Sequence, residues 1–211
     1  MSFLYVGEFP AISARIVMPL NGLWYVDADV DAPEVFSGLL SVDAPGLSLF
    51  GTVVTSTEDG GRVRVHIEPG AGRMAESIGP RFFKAATYRQ IVAETLREVG
   101  ESLDGSKLDG VAPAWTRAAG SPSRTVAAVA AALGLTWGAT DAGLVTLFSP
   151  TWAEQTIETA ELLAVDDTTG LLTLGATNLG ARPGFTIEGR RVTAVRHCVS
   201  DVVRTELVCE P

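Results

Sequence analysis

Histidine and cysteine are scarce in this chain, with two of each among 211 residues. Metal centres and acid–base catalysis draw heavily on those residue types, so the inventory for either is small. His66 and His197 each occupy an alternating position of a strand-like stretch, without a second ligand at the short spacings of zinc sites. Both are expected to be solvated or to face a pore. Cys198 and Cys209 fall on the two arms of one expected hairpin and read as small buried or strand-end thiols; the sequence leaves open whether they touch. No hydrophobic run approaches the ~20 residues of a membrane span, and the first residues lack the basic segment of a signal peptide. A chain made in the cytoplasm, with no membrane anchor or export address, is expected. Basic residues are outnumbered, 16 Lys and Arg against 25 Asp and Glu, for a net charge of −9. That balance argues against nonspecific nucleic-acid binding and against an anionic membrane surface.

Catalytic patterns are equally thin. No serine lies in Gly-x-Ser-x-Gly, and a hydroxyl without a placed base is not a nucleophile. Gly70-Ala-Gly72 is too short for a phosphate loop and no Lys-Ser or Lys-Thr follows it. Asp166-Asp167 reads as a turn, because no sugar cleft is outlined around it. Asp27, Asp29 and Asp31 alternate along a strand and are expected on one solvated face, since three strand carboxylates do not make a calcium loop. Trp24, Trp115, Trp137 and Trp152 are read as packing anchors in preference to sugar platforms. No catalytic, cofactor-binding or metal-ligating residue is assigned, and no cofactor is expected.

What the chain does have is β-pattern at both ends. Hydrophobic residues make up 46% and charged residues 19%, enough apolar material for a core without staples. Asn21-Gly22 between Ala11–Met18 and Leu23–Val30 is a strong hairpin signal. Val35–Val42, Leu47–Thr57 and Arg62–Ile67 follow, spaced as in a small barrel or sandwich. The period then changes to 3.6. Thr87-Tyr-Arg-Gln90 has capping-box spacing, and Tyr88, Ile91, Val92, Thr95, Leu96 and Val99 form an apolar stripe before Gly100. Leu103–Gly120 reads as a long connection with one short strand at Trp115. A second helix is expected from Ser121-Pro122 to Gly134, alanine-rich on one side, and then a hairpin around Asp141-Ala-Gly143. Thr156–Val165, Leu171–Leu174, Phe185–Ile187, Val192–Val199 and Val202–Cys209 are five further strand candidates. No residue-level repeat links the two β-rich flanks.

The run from Phe83 to Gly100, Trp115-Thr-Arg117, and Thr125 through Leu133-Gly-Leu-Thr-Trp137 to Phe148 resemble the insert of phage tail baseplate hub proteins. Phe50-Gly-Thr-Val-Val-Thr-Ser56 with Gly61-Arg-Val-Arg-Val65 is similar to the strand pair before that insert. Arg182-Pro-Gly184, Gly189-Arg-Arg-Val-Thr-Ala-Val-Arg-His197 and Arg204-Thr-Glu-Leu207 resemble the closing strands of the second barrel, as in the hub part of VgrG-type spike proteins. The resemblance implies a mainly β fold with an α+β insert: a first tube-like barrel at 1–70, a helix and hairpin insert at 71–150 and a second barrel at 151–211. It implies a virion structural protein and not an enzyme, three copies of which ring the tail axis. Tail tube or distal tail protein would lie above, tip, spike or fibre proteins below, and tape measure protein or DNA would pass through the lumen without specific binding. The Asp27, Asp29, Asp31 row would then line that lumen. The rivals are a monomeric carbohydrate-binding β-domain using its tryptophans and a tail-associated hydrolase.

Overall fold

A computed structural model of the chain describes residues 3–155, 161–175 and 179–210. The chain opens with β1 (Tyr5–Val6), β2 (Phe9–Pro19), β3 (Tyr25–Val30), β4 (Leu39–Ala44), β5 (Leu47–Asp59) and β6 (Arg62–Pro69). Alternation sets their two faces: Ile16, Val26, Val65 and Ile67 point inward, while Arg15, Asp27, Arg64 and His66 point away from the core. The Asn21-Gly22 turn sits where its residues predict, with Gly22 at a φ of +124° that a side chain resists. Pairing runs β1-β4-β5-β6-β3-β2 and returns to β1, so six strands close a barrel. Leu4, Val6, Ile16, Val26, Leu49 and Ile67 fill it with no solvent exposure, each contributing about 2 kcal/mol of transfer free energy.

The insert holds β7 (Arg81–Thr87), α1 (Tyr88–Arg97), β8 (Val111–Arg117), α2 (Pro122–Leu133), β9 (Thr136–Ala139) and β10 (Val145–Phe148). Thr87 caps α1 as its spacing predicts, its Oγ1 accepting the Gln90 amide at 3.1 Å. The residues just before Thr87 form a strand, β7, paired with β8. Ile91, Val92 and Leu96 meet Val126, Val129 and Ala130 in a core separate from that of the barrel.

The last strands are β11 (Glu161–Asp166), β12 (Leu171–Gly175), β13 (Thr186–Ile187), β14 (Arg190–Val199) and β15 (Arg204–Cys209). The first part of the strand expected from Thr156 lies outside the described residues. These strands do not stand apart, because β14 pairs with β2 from Ala14–Val199 to Pro19–Ala194. Leu172, Leu174, Val195 and Leu207 accordingly share one core with the barrel.

The pairings reveal a repeat that residue identities conceal. The sheet reads β5-β6-β3-β2 and then β14-β15-β12-β11. Substituting β11, β12, β14 and β15 for β2, β3, β5 and β6 turns the first half into the second, with chain order kept. The fifth strand agrees: β4 pairs with β5, and β13 pairs with β14. So do the bulges. Register slips between Ala11 and Ser13 on β2 and between Leu162 and Ala164 on β11. It slips again between Val53 and Thr55 on β5 and between Val192 and Ala194 on β14. Bulges re-aim a strand at a chosen point, so matched positions mark the halves as two copies of one design.

Candidate functional site: a polar sheet face between two open edges

Facing away from the core, β5, β6, β3, β2 and β14 line a trough of about 630 Å3. Asp27 and Asp29 lie in it, whereas Asp31 lies beyond the end of β3. The two carboxylates are not a bare acidic row, because Asp29 pairs with Arg64 and Asp27 with His66. Asp29 accepts from Arg64 Nε at 3.1 Å and from the Ser13 hydroxyl at 3.0 Å, and the Arg64 bond foremost holds its carboxyl below the usual range. His66 Nδ1 is 2.7 Å from Asp27, and Nε2 is 3.4 Å from Glu68. Burial opposes its charge, but the two carboxylates outweigh burial and raise its pKa. Arg15 stands in register with Asp27 on one side and Cys198 on the other. Such a face is polar and carries charges of both signs.

His197 corrects the expectation that both histidines are solvated or pore-facing: it is fully buried. The bulge at Thr193 is the reason. Val192 points inward, and after the extra residue the inward positions become Val195, His197 and Val199. His197 Nδ1 lies 2.8 Å from Thr205 Oγ1, while Nε2 has no partner of hydrogen-bonding geometry. Burial first, then the Arg182 cation, pushes its pKa down to about 4 against a slight opposing pull from the Ala181 backbone. A neutral imidazole sealed in a core has no access to substrate.

The other singled-out residues are engaged structurally. Asp166 caps its own turn, accepting from the Thr168 and Thr169 amides, and Asp167 pairs with Arg190. Trp24 is buried and donates to the Thr140 carbonyl at 3.0 Å. Trp115 packs edge-on to Tyr88, and Arg191 covers the Trp152 ring. The loop at Gly70-Ala-Gly72 does bind an anion, but an internal one: the Ala71 and Arg73 amides each donate at 3.0 Å to the buried Glu101 carboxylate. No local pattern signals this role of Glu101, whose partners lie 30 and 28 residues away along the chain. No group of three or more metal-type ligands occurs among the described residues, and no helix there is long and apolar enough to cross a membrane.

At the lateral ends of the sheet the backbone is open. β11 pairs with β12 alone among the described strands, and all six of its residues are exposed, including Leu162, Leu163 and Val165. At the opposite end β4 leaves β5 at Thr52, and in the ladder Thr55–Asp59 pair only with β6, while the segment before β4 lies beside them, the Gly38 carbonyl accepting the Val53 amide and the Phe36 amide donating to Ser56 Oγ, each at 2.9 Å. Beside that edge Leu39, Phe50 and Val54 are exposed on the barrel wall. Open edges flanked by apolar side chains are assembly surfaces or liabilities.

No known family's sequence pattern matches this chain, and no curated protein sequence does. Solved structures do match. The tail protein of prophage MuSo2 from Shewanella oneidensis superposes with a TM-score of 0.72 at 11% identity, over 98% of this chain and 96% of that one. The fold is that of phage tail proteins. A tail protein from Neisseria meningitidis MC58 matches at 0.66 and 11% identity, covering 98% and 95%. The E. coli c3393 protein, a type VI secretion component described as similar to the T4 tail proteins gp27 and gp5, matches at 0.70 and 12%, covering 99% of this chain and 76% of its own. On this fold the polar trough and the two sheet edges are exposed.

Proposed function

We propose that this chain is a structural, non-enzymatic part of a phage or phage-like tail tip: a baseplate hub protein whose three copies close a ring around the tail axis. The observation that carries this is the internal strand repeat. Two like units per chain give six like units in a trimer, so a sixfold tail tube can meet a threefold tip. The ring continues the tube, with tube or distal tail protein on one side and tip, spike or fibre proteins on the other. Its trough face lines the lumen, a polar wall in which Asp27 and Asp29 are paired with His66 and Arg64. Tape measure protein or DNA then passes without specific binding.

The similarity of the fold to tail proteins supports this reading. The carbohydrate-binding rival loses its basis, since each tryptophan is buried or half-buried, none fully exposed. Electron microscopy of purified particles tests the proposal. Three copies ringing the tail axis are expected; a single off-axis copy, or a ring with the Asp27 face outward, would sink it.

A further inference from the structure

We infer that Arg15 and Arg204, on either side of Cys198, form a phosphate-binding pair in the trough that holds the backbone of duplex DNA. The pair itself stands on the sheet register; the choice of DNA as the polyanion rests on the ring reading above, which turns this face towards the lumen. Arg15 on β2 and Arg204 on β15 are both direct cross-strand neighbours of Cys198 on β14, so their Cα atoms lie about 10 Å apart. All three line the trough. Both arginines are exposed, and neither guanidinium makes an ion pair or hydrogen bond among the described residues. The carboxylates nearby are engaged elsewhere. Asp27, opposite Arg15, is 2.7 Å from His66, and Glu206 pairs with Arg196 at 3.7 Å. On its other side Arg204 faces Gly175, which has no side chain.

Charge and chemistry both point to phosphate. Among the trough's lining residues the guanidiniums of Arg15, Arg64 and Arg204 meet only the carboxylates of Asp27 and Asp29, three against two, before His66 gains a proton. A chain of net charge −9 thus keeps a cationic surplus on this face, gathered around Cys198. Burial raises the Cys198 pKa, so the thiol between the two arginines is neutral and does not repel an anion seated above it. Guanidinium forks match phosphate oxygens two at a time. An acidic protein segment fits less well, because the lining Ala14, Ala28, Val65 and Val199 turn their side chains away from the trough and offer no apolar pocket to anchor it. Bases find no platform either, since no Phe, Tyr or Trp lines the trough. The contact is therefore with the backbone of a duplex, which carries no sequence information and weakens with salt. DNA held in this way can still slide.

Fluorescence anisotropy of a labelled duplex oligonucleotide of mixed sequence, titrated at low salt with the full chain, tests the assignment. The wild-type chain should bind, and the two contacts should contribute about 1.8 to the slope of log affinity against log salt. Arg15→Gln combined with Arg204→Gln should weaken binding about tenfold or more and flatten the slope by that amount. Cys198→Asp, which sets a carboxylate between two arginines left in place, should weaken it similarly. Cys198→Ser should not, and neither should Arg97→Gln, at an exposed arginine in the last turn of α1. All three trough positions lie on the outer face, so these variants should melt as the wild type does; where one does not, the other decides. A wild-type chain that ignores the duplex, or an equal loss in Arg97→Gln, overturns the site. Poly-glutamate bound as tightly as the duplex overturns DNA as the ligand in favour of an acidic protein segment. Light scattering judges the ring separately: a monomer that binds duplex through these arginines removes the ring and keeps the site, whereas a trimer blind to DNA removes the site and keeps the ring.

Discussion

The Arg117 guanidinium grips the Glu98 carboxylate with two hydrogen bonds, Nη1 to Oε1 at 3.1 Å and Nη2 to Oε2 at 2.8 Å. The pair ties β8 to the end of α1, and Arg117 also donates to the Gly79 carbonyl at 2.8 Å and the Thr95 hydroxyl at 3.3 Å. Only 3% of the Arg117 side chain is exposed, so no water replaces these partners when one is lost.

Arg117→Met is therefore expected to destabilise the insert by about 3 kcal/mol, the low end for breaking a buried pair, because Arg81 also contacts Glu98 and partly compensates. Lysine should not rescue, since one ammonium cannot reproduce the fork. Urea unfolding followed by tryptophan fluorescence measures this. The Arg117 bond foremost holds the Glu98 pKa below its ordinary value. Its contribution is thus present above the ordinary carboxylate range and lost as pH falls through the lowered value. A variant with Arg117→Met should show a flatter acid limb.

His197 predicts a second acid sensitivity. Its pKa falls from 6.5 in the unfolded chain to about 4 in the fold. The unfolded state then binds more protons between those values, so stability is full above about 6.5 and declines as pH drops towards about 4. The loss is up to roughly 3 kcal/mol. His66 works in the opposite sense: its raised pKa adds stability at low pH that is lost as pH rises through the folded value. His197→Asn, which retains a partner for Thr205 and does not titrate, should flatten the wild-type decline between pH 6.5 and 4. An unchanged slope in the variant would mean that other groups set it.

Much of the fold is legible in local pattern. The Asn21-Gly22 hairpin, the Thr87 cap, Pro122 at the start of α2 and the alternation of Val203, Thr205 and Leu207 each follow from neighbours within a few residues. What stays hidden depends on distant pairing. The strand repeat lives in sheet order, which β2–β14 contacts decide across some 180 residues, and strands on both flanks need only alternate, so no shared residues survive to signal it. The inward position of His197 is hidden in the sequence, because a single bulge at Thr193 reverses parity and nothing in Arg-Val-Thr-Ala-Val marks the extra residue. Glu101 and the loop at Gly70-Ala-Gly72 meet only through the fold.

The cysteines should never bridge. Cys198 lies opposite Arg204 near the turn of the β14–β15 hairpin, and Cys209 lies opposite Val192 at its far end. They also face opposite sides of the sheet, Cys209 within the core and Cys198 in the trough. A disulfide needs Cα atoms within about 7 Å. Two thiols should titrate in denaturant, and reducing agent should leave the melting temperature unchanged. Burial raises both thiol pKa values, so alkylation of the native protein at neutral pH should be slow.

Gly143 and Gly60 separate two reasons for glycine. Both have positive φ, +82° and +60°. At Gly60 a Cβ would meet nothing within 4 Å, whereas at Gly143 it would lie 2.6 Å from the Gly70 nitrogen and 2.8 Å from the Phe50 carbonyl oxygen. Those are backbone atoms, where the insert hairpin closes onto the barrel, and they cannot swing aside. Gly60→Ala should cost only the left-handed strain, about 1 kcal/mol. Gly143→Ala adds overpacking on top of strain and should cost about 3 kcal/mol or more. The damage should concentrate at the junction, because the Phe50 amide also binds the Asp141 carbonyl at 2.8 Å. Hydrogen exchange should then show lost protection at Phe50 and in β10 before β2 or β14 open. Equal melting temperatures for the two variants would show that the barrel and insert tolerate separation here.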